Sequence, residues 1–359
     1  MYTEKRISDF SHKFNLAVDE AIGRKVDAIL LLGDVFDSSA YRRSVDAFAE
    51  AVADIAESLV KLKAAGITIF AIAGNHEFGR GRAGGELRIL SDLGIIRLMN
   101  DEMKPLGDIR IAGIPWKSEK ESFQQSLDKL GKPQKGDILL IHQFCQGSTS
   151  VPSFLWEVTK AQVKDWSMVF AGHQHHYENL GYAIVPGSLE IQKADEDPKK
   201  GFVIYDTETG VSEFVVLPPT RKISYAELSG NGKTSVQFQR ELEAWVTKNA
   251  SEGALLVLKI SGILTSGRSA DVQWGQVRAL AYQRGCLKLY FEGGLEDQVR
   301  TAPEIRSSMS LPDFFRKRFG EKKGDMAVDY VESLRTEGDE FYTALQDGIF
   351  KEVGAKKRS

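Results

Sequence analysis

Hydrophobic positions in the first half of the chain follow two alternating rhythms. Phe10, Phe14, Ala17 and Ala21 share one face of a helical repeat. Val45, Phe48, Ala49, Val52, Ile55, Ala56 and Leu59 keep a three-to-four spacing through a second helix. Between and after them run short apolar segments at 28–32, 67–73, 138–141 and 168–171. Segments this short and apolar on both faces predict strands in a sheet covered by helices. Shorter strands follow at 182–185, 201–206 and 213–217, joined by turns. The pattern predicts an α/β fold built as a layered sandwich rather than a strict doubly wound sheet.

Leu217-Pro218-Pro219-Thr220 interrupts this pattern, because two prolines stop both a helix and a strand ladder. It sets the end of a first domain at 1–217. Beyond it, strands at 223–228, 254–260 and 287–291 alternate with helical stretches near 236–248 and 272–283, predicting a small β-α-β-α-β domain over 221–300. The remainder, 303–359, is charged and helical. Candidate helices at 312–319 and 325–346 carry Phe314, Phe315, Phe319, Val331, Leu334, Phe341 and Leu345, a set suited to holding a partner.

Composition narrows the classes. The 359 residues allow two or three domains, and 42% hydrophobic with 27% charged residues describes an ordinary globular chain. No apolar run approaches the roughly 20 residues of a membrane helix. Met1-Tyr2-Thr3-Glu4-Lys5-Arg6 has no apolar stretch behind it, so it does not read as a signal peptide. Only Cys145 and Cys286 occur, which argues against a disulfide framework and fits a reducing, cytoplasmic setting. The net charge of −3 gives no support to nucleic-acid binding by the chain as a whole, so any such surface must be a local patch.

Candidate chemistry gathers at strand ends. Of six histidines, five lie at or just after the C-terminal ends of expected strands. The strand at 28–32 runs into Gly33-Asp34-Val35-Phe36-Asp37, and that at 67–73 into Gly74-Asn75-His76-Glu77. The strand at 138–141 ends on His142, and that at 168–171 on Gly172-His173-Gln174-His175-His176. In open α/β sheets ligands bind beyond the carboxyl ends of the strands. Asp, Asn-His, His and His-x-His delivered to one crevice form a mixed oxygen and nitrogen set, suited to two divalent ions such as Mn²⁺, Fe²⁺ or Zn²⁺. Two ions about 3.5–4 Å apart can clamp a phosphate and neutralise its charge. An imidazole beside them can protonate the leaving oxygen. Asp9 and His12 are expected on a solvated helix face rather than as a further ligand pair. Arg80, Arg82 and Arg88 follow His76 in a Gly-rich loop that either approaches a phosphate backbone or stays solvated.

These four motifs resemble those of the calcineurin-like metallophosphoesterase superfamily. Gly33–Ser39, Gly74-Asn75-His76-Glu77, His142-Gln143, Pro186-Gly187-Ser188-Leu189-Glu190 and Lys200-Gly201-Phe202 are further similar to the SbcD-type nuclease branch, over about residues 5–217. The resemblance implies a layered metallophosphoesterase sandwich with a small α/β capping domain and C-terminal helices. It implies a Mn²⁺-dependent exo- and endonuclease acting on DNA ends in double-strand-break repair, homodimeric, nucleoid-associated, with an ABC-type coiled-coil ATPase bound by the C-terminal helices. It further implies that Asp34 bridges two metals, that Asn75, His142 and His173 complete one site, and that His175 belongs to the other. His76 would act on the scissile phosphate, and Asp37 and Glu77 would orient ligands; His176 receives no role. In the family pattern a first strand ends in Asp-x-His, and this sequence shows no such motif. The expectation is a motif lying upstream of a start placed too late. The alternatives are a shorter chain binding one metal, a catalytically impaired scaffold for DNA and the ATPase, or a different phosphodiesterase of the superfamily.

Overall fold

The computed structural model describes residues 4–37, 44–77 and 85–296, together with 316, 320, 321 and 325. The chain divides into two units, Met1–Asp297 and Gln298–Ser359. The helices expected at 312–319 and 325–346 lie, isolated positions apart, outside the described residues.

Helices α1 (Glu4–Gly23) and α2 (Val45–Ala64) form where the helical rhythm predicts them. Ser44 caps α2, its hydroxyl accepting the Ala47 amide. Strands β1 (Ala28–Leu31), β2 (Thr68–Ala71) and β3 (Arg97–Leu98) form a parallel sheet in the order β1-β2-β3. Helix α3 (Gly85–Asp92) precedes β3. A six-stranded sheet follows, with β4 (Glu102–Leu106), β5 (Ile109–Ile114), β6 (Ile138–Ile141), β7 (Met168–Ala171), β8 (Glu178–Asn179) and β9 (Ala183–Val185). Its order is β4-β5-β6-β7-β9-β8; the four central strands are parallel and the two outer ones antiparallel to their neighbours. Helix α4 (Lys120–Leu130) connects β5 to β6, and β10 (Lys200–Tyr205) pairs with β11 (Ser212–Leu217) as a hairpin.

The apolar strands explain the layering, because successive side chains point to opposite faces. Ile138 and Leu140 of β6 meet Phe70, Ile72, Met99, Ile111 and Phe170 between the two sheets. Leu139 and Ile141 face outward onto Phe123, Leu127 and Leu130 of α4. On the opposite side Ile29, Leu31, Ile69 and Ala71 meet Phe14, Val18, Ile55, Leu59 and Leu62 of α1 and α2. The result is a helix–sheet–sheet–helix sandwich, as expected. The segment 97–130, which the sequence pattern left unassigned, supplies three strands and α4; charged residues interrupt its apolar rhythm at Glu102, Lys104 and Arg110. β1 is an edge strand among the described residues, and its four apolar residues are only half-buried.

After the prolines, β12 (Ile223–Ser229), β13 (Leu255–Ser261) and β14 (Lys288–Gly293) form a second parallel sheet. Helices α5 (Ser235–Asn249) and α6 (Trp274–Gln283) bring Phe238, Leu242, Val246, Val277 and Ala281 onto Leu256, Leu258, Ile260 and Leu289. Their order is the β-α-β-α-β order read from the sequence. A buried ionic network ties this sheet's approach to α1. Asp9 is 2.9 Å from Arg6 Nη1 and is also paired with Arg221, while Lys13 donates to the Leu217 and Pro218 carbonyls. The solvated face expected for Asp9 is therefore wrong: Asp9 is buried because two guanidinium groups compensate it, and only His12 of that pair is exposed.

Candidate metal centre

Four strand ends converge beyond β1, β2, β6 and β7. Asp34 follows β1 with φ of +54° and His173 follows β7 with φ of +79°. Left-handed backbone at a non-glycine residue costs on the order of 1 kcal/mol, so the fold holds both side chains in place against local preference. The preceding glycines allow close approach. A Cβ at Gly74 would enter the Asp34 carboxylate, and one at Gly172 would enter the Leu32 carbonyl.

The ligand atoms of Asp34, His142 and His173 lie within 4.8 Å of one another. His142 Nδ1 is 2.6 Å from the Leu32 carbonyl oxygen, which can only accept, so Nδ1 carries the proton. In the neutral ring Nε2 is then bare, and it faces Asp34 Oδ2 at 3.2 Å and Asn75 Oδ1 at 3.1 Å. With the ring neutral, three acceptors meet there and repel one another unless a cation joins them. Ligand atoms about 2.1 Å from one shared ion lie roughly 3–4 Å apart, which these spacings meet. Burial, reinforced by the neighbouring His142, holds His173 down to about 4, so its imidazole is a neutral lone-pair donor at physiological pH. The Phe144 ring lies against His173 at 4.0 Å between centroids, tilted by 38°, and shields that side.

Glu77 locks two of the motif loops together. It is fully buried; its Oε2 accepts the amides of Asp34 at 2.9 Å and Gly74 at 2.8 Å, and its Oε1 accepts that of Phe36 at 2.9 Å. His76 lies at the rim. Its amide donates to Asp34 Oδ1 at 3.0 Å, and its ring Nδ1 is 3.0 Å from Asp37 Oδ1. That hydrogen bond to Asp37, opposed by burial, raises the His76 pKa above the usual imidazole value.

Asp34, Asn75, His142 and His173 are thus brought together, with His76, Asp37 and Glu77 around them. His175 stands outside this tight group. Its Nδ1 is 2.8 Å from Glu196 Oε1. Burial would raise the Glu196 carboxyl, but hydrogen bonds from His175, Lys200 and the Gln192 amide outweigh it and hold it at about 2. His176 is half-buried. Arg88 lies within α3 rather than in a loop, exposed and 3.7 Å from Asp92 one turn along. Leu87 and Leu90 of that helix are buried. Arg80 and Arg82 lie outside the described residues. Sequence reasoning missed Phe144, Glu157, which accepts the Phe144 amide at 2.9 Å, and Glu196. Glu196 sits in the charged run 193–200, which reads as solvated, and only its fold partners mark it out.

Residues 6–177, which contain all four motifs, match the calcineurin-like phosphoesterase family. Divalent metal ions are the cofactor class of that family, in keeping with the acceptor cluster. The chain is moreover similar to archaeal proteins named DNA double-strand break repair protein Mre11. It is 26% identical to that of Methanosarcina mazei over 373 residues, covering 95% of this chain and 59% of the relative. It is 25% identical to that of Thermoplasma acidophilum over 387 residues, covering 98% and 93%. With that of Sulfurisphaera tokodaii it shares 34% identity over 143 residues, 38% of this chain and 35% of the relative. The chain spans 59% and 40% of the length of its two Methanosarcina relatives. Among the described residues no helix is long and apolar enough to cross a membrane.

Proposed function

We propose that this chain is a metal-dependent nuclease that cleaves DNA phosphodiesters at ends during double-strand-break repair, with Mn²⁺ as its working metal. The convergence of Asp34 Oδ2, Asn75 Oδ1 and the bare His142 Nε2 carries the reading, because these acceptors call for a cation. Asp34, Asn75, His142 and His173 would hold one ion, and Asp34 with His175 would contribute to a second. Bound there, the ions supply charge neutralisation for phosphoryl oxygens and acidify water. Asp37 fixes the His76 ring and raises its pKa, favouring the doubly protonated form whose Nε2–H would reach the scissile phosphate and protonate the departing oxygen. Glu77 sets the backbone from which Asp34 projects.

In this reading 1–217 is the nuclease domain, 221–300 caps the DNA, and 303–359 binds an ABC-type coiled-coil ATPase. The protein acts in the cytoplasm at the nucleoid as a homodimer, with Arg80, Arg82 and Arg88 near the DNA backbone. The names of the Mre11 relatives support the repair setting. The test is linear duplex DNA with Mn²⁺, wild type against His76→Ala. Cleavage should require the metal, stop with chelator and stop in the variant, whose circular dichroism is unchanged. Cleavage by His76→Ala at the wild-type rate rejects the assigned role. Turnover of bis-p-nitrophenyl phosphate with intact DNA points instead to a small phosphodiester substrate.

A further inference from the structure

We infer that Glu196 and Lys200 are positioning residues for His175, fixing which ring nitrogen it presents to a metal; this rests on the reading of His175 as a ligand. The pair reaches back from the 192–200 segment and holds His175 at two points. Glu196 Oε1 lies 2.8 Å from the ring Nδ1, and Lys200 Nζ donates to the His175 carbonyl at 2.7 Å. The two are joined to each other, Glu196 Oε2 to Lys200 Nζ at 2.8 Å, and the Gln192 amide donates to the same oxygen at 3.0 Å. Both side chains are almost wholly buried, 4% and 3% exposed, whereas the His175 ring is 30% exposed.

A buried ion pair is poor evidence of added stability, because desolvation offsets the attraction. Its geometry here has a directional consequence. A carboxylate only accepts, so Nδ1 carries the ring proton and Nε2 keeps its lone pair. Turning the ring over would place a C–H against Glu196 and leave a buried carboxylate oxygen without its donor. The Lys200 ammonium keeps Glu196 charged and pins the backbone from which the ring projects. His142 meets the same need with the Leu32 carbonyl, and histidines that bind metals are commonly oriented in this way.

The experiment uses the full chain. Glu196→Ala alone would strand the Lys200 ammonium and could unfold the protein, so the working variant is the double replacement Glu196→Leu with Lys200→Met, checked by circular dichroism. In metal-free protein, long-range ¹H–¹⁵N correlation should show a single Nδ1–H tautomer for His175 in the wild type and a mixture in the double variant. Mn²⁺ titration followed by electron paramagnetic resonance should show the weaker site losing about 10–100-fold in affinity, as in His175→Ala. A double variant that keeps the wild-type tautomer, or that binds Mn²⁺ as the wild type does while His175→Ala does not, overturns the inference. If His175→Ala itself binds Mn²⁺ like the wild type, the ligand role fails and takes the metal-presenting part of the inference with it. DNA cleavage enters none of these readouts, so they stand apart from the nuclease reading.

Discussion

Removing the Glu77 carboxylate tests whether the metal site depends on backbone held by a side chain. Glu77 receives three amide hydrogens, from Asp34 and Gly74 on Oε2 and from Phe36 on Oε1. Glu77→Ala leaves all three without an acceptor in a place water scarcely enters. An orphaned buried donor costs about 1–3 kcal/mol, and the three share one loop pair, so the loss should be about 3–5 kcal/mol. Glu77→Gln is gentler. Its carbonyl can serve the Asp34 and Gly74 amides, but its NH₂ then opposes the Phe36 amide, giving one frustrated donor and a loss of about 1–2 kcal/mol. At roughly 2–4 °C per kcal/mol, the alanine variant should melt about 10 °C below wild type, with glutamine between them. Urea unfolding with calorimetry would measure both, and Mn²⁺ titration should show weakened binding in the same order. If alanine and glutamine fall together within about 0.5 kcal/mol of wild type, the carboxylate is not what holds these loops.

Asp9→Ala should cost about 3–5 kcal/mol in urea unfolding, because it removes the carboxylate paired with Arg221 and the nearer of the two carboxylates paired with Arg6 in a buried setting. Asp37→Asn replaces the charged acceptor that raises the His76 pKa with a neutral one, so the proton is lost at lower pH. The alkaline decline of the cleavage rate should begin at lower pH in that variant than in wild type. Glu196 has its folded pKa held near 2, below its unfolded value, so its contribution is complete above the unfolded value and fades as pH falls toward 2. Urea stability measured against pH should lose about 3 kcal/mol across that interval in wild type and not in the Glu196→Leu, Lys200→Met double variant. Gly172→Ala drives a methyl into the Leu32 carbonyl that orients His142, so Mn²⁺ binding measured by calorimetry should fall. Gly23→Ala, whose methyl meets open space, should leave binding unchanged.

The sequence alone determined the parts whose physics is local. Apolar runs with helices around them gave the sandwich, and the glycine-flanked acids and histidines gave the candidate ligand set, because a strand's alternation and a turn's tolerance are properties of a few adjacent residues. The β-α-β-α-β order after the prolines was legible for the same reason. Tertiary structure decided what depends on partners distant along the chain. Asp9 reads as a solvated helix residue until Arg221 approaches from 212 positions away. Glu196 reads as one more charge in a charged run until His175 and Lys200 close around it. The proton on His142 is likewise set by the Leu32 carbonyl, 110 residues earlier. The candidate ligands Asp34, Asn75, His142 and His173 were written in the motifs, and the fold brings them together. Which way their lone pairs point, and which buried charges hold them there, arises only when strands far apart in sequence end side by side.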